Sequence, residues 1–99
     1  MATEELTVLA RIRAKKGKET EVLRAVTALL TPTKAEEGCI NYDLHCSKDD
    51  ATLFFLYETW KNRKALDEHL ATPYLQDFLG KAPDLLAEDV DLSFWDLIG

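Results

Sequence analysis

Hydrophobic and polar positions alternate through residues 6–14, LTVLARIRA: Leu6, Val8, Ala10 and Ile12 fall on one side, Thr7, Arg11 and Arg13 on the other. A period of two over this length predicts a half-buried strand, which KKGK then breaks at Gly17. From Glu19 the period lengthens to that of a helix, with Val22, Val26, Leu29, Leu30 and Thr33 on one face. Pro32 should kink this helix or end its regular part, and Gly38 is available as a stop. CINYDLHCS (39–47) and TLFFLYETW (52–60) read as two strands of a hairpin joined by the polar turn KDDA. Asn62 suits the N-cap of a further helix, in which Ala65, Leu66, His69 and Leu70 share a face. That helix pauses at ATP, where Thr72 can cap and Pro73 can open a second segment with Tyr74, Leu75, Phe78 and Leu79 as its apolar face. GKAPDLLAED (80–89) reads as a loop or ragged helix end, and VDLSFWDLI (90–98) as the last strand.

The order β-α-β-β-α-β is that of a ferredoxin-like α+β fold: one four-stranded antiparallel sheet with both helical connections on the same side. The third strand does not fit a sheet with one wet face. Phe54, Leu56 and Trp60 point one way, while Leu53, Phe55 and Tyr57 point the other. Two helices cover only one face, so the second is expected to recruit a partner, most simply the same sheet of a second copy in a homodimer. Chemistry suggests which face is which. Ile40, Tyr42, Leu44 and Cys46 would join Leu53, Phe55 and Tyr57 on the apolar dimer face. Cys39, Asn41, Asp43 and His45 would join Leu56, Glu58 and Trp60 in a pocket beneath the helices, with His69 projecting from above.

At 99 residues the chain is expected to form a single domain, residues 1–99. A domain of this size buries only about 60–70% of the surface its unfolded chain exposes, so association would help it. With 18 acidic and 12 basic residues the net charge is −6, which argues against nucleic acid as a partner. No apolar run approaches the roughly 18–20 residues that span a bilayer, and MATEE lacks the basic start of a secretory leader; a cytoplasmic location is expected, with no membrane partner. Cys39 and Cys46 on one strand would point to opposite faces and stand roughly 23 Å apart, beyond disulfide reach. The two cysteines and two histidines match no zinc spacing.

The candidate chemistry rests on His45, His69 and Glu58, because a histidine exchanges protons near neutrality and a carboxylate can orient it. The plainer alternative makes His45 a solvated strand-end residue and His69 a hydrogen-bonded core histidine. Trp60, Tyr42, Tyr57, Tyr74 and Phe78 could line a pocket for a flat aromatic ligand, or could equally be core and interface.

The segment from EEGCINYDLH through FLYETW to ALDEHLATPYLQDF resembles the central signature of the antibiotic biosynthesis monooxygenase family. Its features are Gly-Cys, Tyr-x-Leu-His, Tyr-Glu-x-Trp, Ala-Leu-x-x-His-Leu and Thr-Pro, and with the outer strands the resemblance covers nearly the whole chain. It implies a dimeric α/β barrel of ferredoxin-like subunits and, in some members, oxidation of a quinol or phenolic aromatic by O2 without a cofactor. Carried over by motif, His45, Trp60 and His69 match family positions. Leu56 stands where polyketide-oxidising members carry an asparagine, and Ala10 and Leu79 stand where haem-degrading members carry an asparagine and the histidine ligand. The resemblance and the residue pattern together give His45, His69 and Glu58 as candidate catalytic residues, with Asn41, Leu56, Trp60, Tyr74 and Phe78 as candidates around a small aromatic substrate. No cofactor or metal is expected. An isomerase-like enzyme on the same scaffold, or a non-catalytic dimeric binding module, remain the alternatives.

Overall fold

A computed structural model describes residues 4–99; Met1–Thr3, the start of the stretch read for a leader, lie outside the described residues. The elements are β1 (Leu6–Arg13), α1 (Glu19–Lys34), β2 (Cys39–Cys46), β3 (Leu53–Trp60), α2 (Arg63–Leu70), α3 (Pro73–Leu85) and β4 (Asp91–Trp95). They build one antiparallel sheet in the order β2-β3-β1-β4, the expected ferredoxin-like arrangement. Val8, Ala10 and Ile12 of β1 are buried against the helices, as their alternation requires. Val22, Val26, Leu29 and Thr33 form the buried stripe of α1, which carries Pro32 within its last turn. Leu66, Leu75 and Phe78 close the core from α2 and α3. None of these helices is long and apolar enough to cross a membrane.

The KDDA turn is held by side chains. Ser47 Oγ accepts the Asp49 and Asp50 amides, both at 3.2 Å, and Asp50 accepts from the Thr52 amide at 2.9 Å. The Thr52 hydroxyl and then Arg13 hold the Asp50 carboxyl down at about 2.

One alternative is decided and three expectations are corrected. Of the two readings of residues 80–89, the helix end holds: α3 continues through Pro83 to Leu85, and its end is sewn to the exit of β1 by Lys15 N–H to Leu85 O and Ala87 N–H to Arg13 O, each 2.9 Å. β4 stops at Trp95 because its neighbour runs out, Thr7 facing Trp95 one residue after β1 begins. Gly38 does not cap α1. A Cβ there would overlap the Ala65 methyl, so glycine is required by the close approach of α2.

The third correction concerns β2. Tyr42 pairs with Glu58 and Leu44 with Leu56, so these residues face the helices. Asp43 and His45 lie opposite Tyr57 and Phe55 on the open face. The apolar side of β2 is thus the covered one, which follows from the cost of desolvating Asp43 under the helices. A bulge between Cys39 and Asn41 adds one residue to β2, returning Cys39 to the face of Trp60 and leaving Ile40 49% exposed. Cys39 and Cys46 consequently share a face instead of opposing each other, and both are free thiols.

Candidate active site

Strand alternation sets the floor of the site. Leu56, Glu58 and Trp60 recur every second residue on the covered face of β3, beside Tyr42 and Leu44 of β2 and Val8 and Ala10 of β1. The roof comes from α2 and α3. Asn62 Oδ1 accepts the Ala65 amide at 2.9 Å, which fixes where α2 starts and which face Leu66 and His69 present. Thr72 Oγ then donates to His69 O at 2.8 Å, and Pro73 opens α3. Between floor and roof lies a cavity of about 310 Å³. Its walls are largely apolar, with Leu56, Leu66, Leu75 and Phe78 among them; polar groups reach it from Tyr42, Glu58, His69 and Asp89.

Glu58 is 3% exposed and accepts the Trp60 indole N–H at 2.9 Å. Burial pushes its carboxyl up to about 7, and the indole hydrogen bond offsets only part of that rise. Near neutral pH this carboxyl exists in both forms and can accept or donate a proton. Burial also raises the Tyr42 hydroxyl above its ordinary value, so it stays protonated as a donor.

His69 is 2% exposed and packs between the Trp60 ring at 4.5 Å and the edge of Tyr42 at 5.5 Å. Its Nδ1 lies 2.8 Å from Glu36 Oε2, while no described residue hydrogen-bonds Nε2. Glu36 was not recognisable as a partner. It lies 33 residues away in the chain, just past α1, where no helical or strand spacing links it to His69.

The structure brings together His69, Glu58, Leu56 and Phe78 at the cavity. Trp60 is fully buried beside it and supports Glu58, and the Tyr74 hydroxyl donates to Glu36 from the far side. His45 and Asn41 are elsewhere. The His45 ring stacks on Phe55 at 4.5 Å on the open sheet face, and Asn41 donates to Thr59 Oγ at 3.2 Å. Tyr42 is the wall residue that the sequence reading placed differently, on the outward face; Asp89 lies in the connection before β4, where that reading put it, with no signal to mark it as a wall residue. No group of three or more His, Cys, Asp or Glu side chains among the described residues is placed to hold a metal ion.

The family model for antibiotic biosynthesis monooxygenase matches residues 6–81. The chain belongs to this family. Among curated relatives, the Mycobacterium tuberculosis protein Rv0793 is 34% identical over 92% of this chain and 89% of its own length, and it is provisionally named a monooxygenase. A Synechocystis protein of uncharacterised role is 33% identical over 95% of this chain, which spans only 64% of that longer protein. Among solved structures, PA3566 from Pseudomonas aeruginosa superposes with a TM-score of 0.93 at 31% identity, covering 100% of this chain and 99% of that one. The structure of Rv0793 gives 0.90 at 29% identity, covering 96% of each. The stretch that matches the antibiotic biosynthesis monooxygenase family takes in Glu36, Glu58, His69 and Phe78 but ends before Asp89 and β4, so that rim of the cavity lies outside the family match.

Proposed function

We propose that the cavity binds a small quinol or phenolic aromatic and that the protein oxidises it with O2, His69 acting as the base. The observation that carries this reading is an imidazole with one nitrogen already committed, standing beside a near-neutral carboxyl in an otherwise apolar cavity. A flat aromatic fills such a space, Phe78 and Leu56 contacting its ring. A phenol near pKa 10 and a histidine near 6.5 differ by about 3.5 units, roughly 5 kcal/mol that the site must supply by stabilising the anion. Donors for that purpose are at hand in Tyr42 and in the protonated form of Glu58.

Transfer of the phenolic proton to Nε2 leaves an electron-rich anion that passes one electron to O2. The resulting radical and superoxide combine into a carbon–oxygen bond. Breakage of the O–O bond leaves one oxygen on the ring as a carbonyl or hydroxyl, and the other departs as water with the proton returned by His69 and the hydrogen lost from the oxygenated ring carbon. Quinol and O2 thereby become hydroxyquinone and water, all the electrons coming from the substrate. The described lining contains no Lys or Arg, which works against a phosphorylated substrate.

The same reading makes the protein a homodimer through the open sheet face, where Phe55 and Tyr57 are each 39% exposed. The experiment for the reaction is O2 uptake by the purified protein across a panel of quinols, with chelator and no added cofactor. Uptake should persist, and His69→Ala should lower kcat at least about 100-fold. Wild-type turnover in His69→Ala would end this reading.

A further inference from the structure

Glu36 occupies a short connection that is pinned at every step. Its N–H donates to Thr33 O at 3.0 Å, and its C=O accepts the Cys39 amide at 3.1 Å. Two residues on, Gly38 O accepts the Lys61 amide at 2.8 Å, and Gly38 packs against Ala65 with no room for a Cβ. The connection is therefore docked on the first turn of α2, and the distance from Glu36 to His69 is set by backbone rather than by a free side chain.

One oxygen of Glu36 serves two donors. Oε2 lies 2.5 Å from the Tyr74 hydroxyl and 2.8 Å from His69 Nδ1. The Tyr74 hydroxyl has one proton, and its neighbours are Glu36 Oε2 and, at 3.4 Å, the Pro32 carbonyl, which can only accept. The nearer of the two, Oε2, takes that proton; with Glu36 as a carboxylate Oε2 only accepts, and the nitrogen facing it carries hydrogen. Neutral His69 is then the Nδ1–H tautomer, its Nε2 lone pair free of protein partners among the described residues.

We propose that Glu36 is the positioning residue of the site: by accepting from both His69 and Tyr74 it holds the ring in the Nδ1–H tautomer and keeps Nε2 available as the base. It touches no substrate, since it does not line the cavity. Its second effect comes after proton transfer, when the carboxylate faces an imidazolium and the hydrogen bond becomes charge-assisted. Tyr74 holds the carboxylate from α3, so three elements meet at one oxygen. The catalytic consequence rests on the reaction proposed above; the tautomer does not.

The test combines nitrogen-15 NMR of the histidine rings with steady-state kinetics, the His69 signals being assigned by comparison with His45→Gln. In the wild type, His69 should show a protonated Nδ1 and an unprotonated Nε2. Glu36→Gln is nearly isosteric, but its amide can donate to Nδ1. It should mix or invert this pattern and lower kcat on the order of 10–100-fold with KM within about threefold. Tyr74→Phe keeps the acceptor and should preserve the tautomer, which covers the case in which Glu36→Gln does not fold. A tautomer unchanged in folded Glu36→Gln, or one lost in Tyr74→Phe, overturns the proposal. A wild type that oxidises no quinol yet switches tautomer in Glu36→Gln upholds the positioning role and removes the reaction instead.

Discussion

Glu58→Gln is the substitution whose effect the structure specifies most closely. The carboxyl is 3% exposed, and burial lifts it from an ordinary value of 4.5 to about 7. Between these two pH values the native protein keeps the proton and the unfolded chain releases it. The native state therefore binds more protons, and stability falls as pH rises from about 4.5 to about 7, levelling off above. At 1.36 kcal/mol per pH unit the full loss is about 3 kcal/mol. A glutamine in the same place can still accept the Trp60 N–H but has no proton to lose. Urea denaturation of both proteins from pH 4 to 8.5, at one fixed protein concentration, should show near-equal stability at pH 4.5. The variant should gain progressively to about 3 kcal/mol at pH 8, equivalent to roughly 12–24 °C in Tm for a domain of this size. Taking the difference between variant and wild type cancels the exposed carboxyl groups common to both. A difference that does not change with pH would refute the reasoning, because it would mean that Glu58 titrates alike in the folded and unfolded chains.

Three further outcomes follow from the packing. Gly38→Ala forces a methyl into the Ala65 methyl and should cost about 1–3 kcal/mol by urea denaturation; adding Ala65→Gly should recover part of it, a coupling that a double-mutant cycle measures. Asn62→Ala removes the acceptor for the Ala65 amide and should cost about 1 kcal/mol in the same assay, with helix signal lost from the segment that carries His69. Phe55→Lys with Tyr57→Lys places two charges on the open sheet face; sedimentation velocity should show the wild type at the mass of two chains and the variant at one, and a wild type that sediments as one chain removes the homodimer.

Local order was legible in the chain to a large extent. The alternation of Leu6, Val8, Ala10 and Ile12, the helical stripe from Val22 to Thr33, and the cap at Asn62 each rest on neighbours within one turn or one strand, and the structure reproduces them. The convergence of His69 from the roof and Glu58 from the floor on one cavity was legible too, because each follows from the period of its own element once the strand order is known. The end of α3 was legible only as a choice between loop and ragged helix end. Pro83 signals a break, but hydrogen bonds from the exit of β1 hold the last turn, and nothing local announces them.

The face of β2 is where composition and tertiary structure parted. Asp43 and His45 drew attention as polar groups for a pocket, yet the hydropathy of Tyr42 and Leu44 decided which side the helices cover, since burying an aromatic ring is favourable and burying an unpaired carboxylate is not. By itself, then, the sequence determined which segments are strand and helix, the family to which they belong, and the two-sided apolar character of β3. Only the folded chain decided the pairing of β2 with β3, which sets His45 opposite Phe55 and outside the cavity, and the bulge at Ile40, which returns Cys39 to the covered face. It also decided the partner of His69. Glu36 and His69 share no repeat and no motif; they meet because a glycine two residues after Glu36 lets α2 come close enough for one carboxylate to reach the ring.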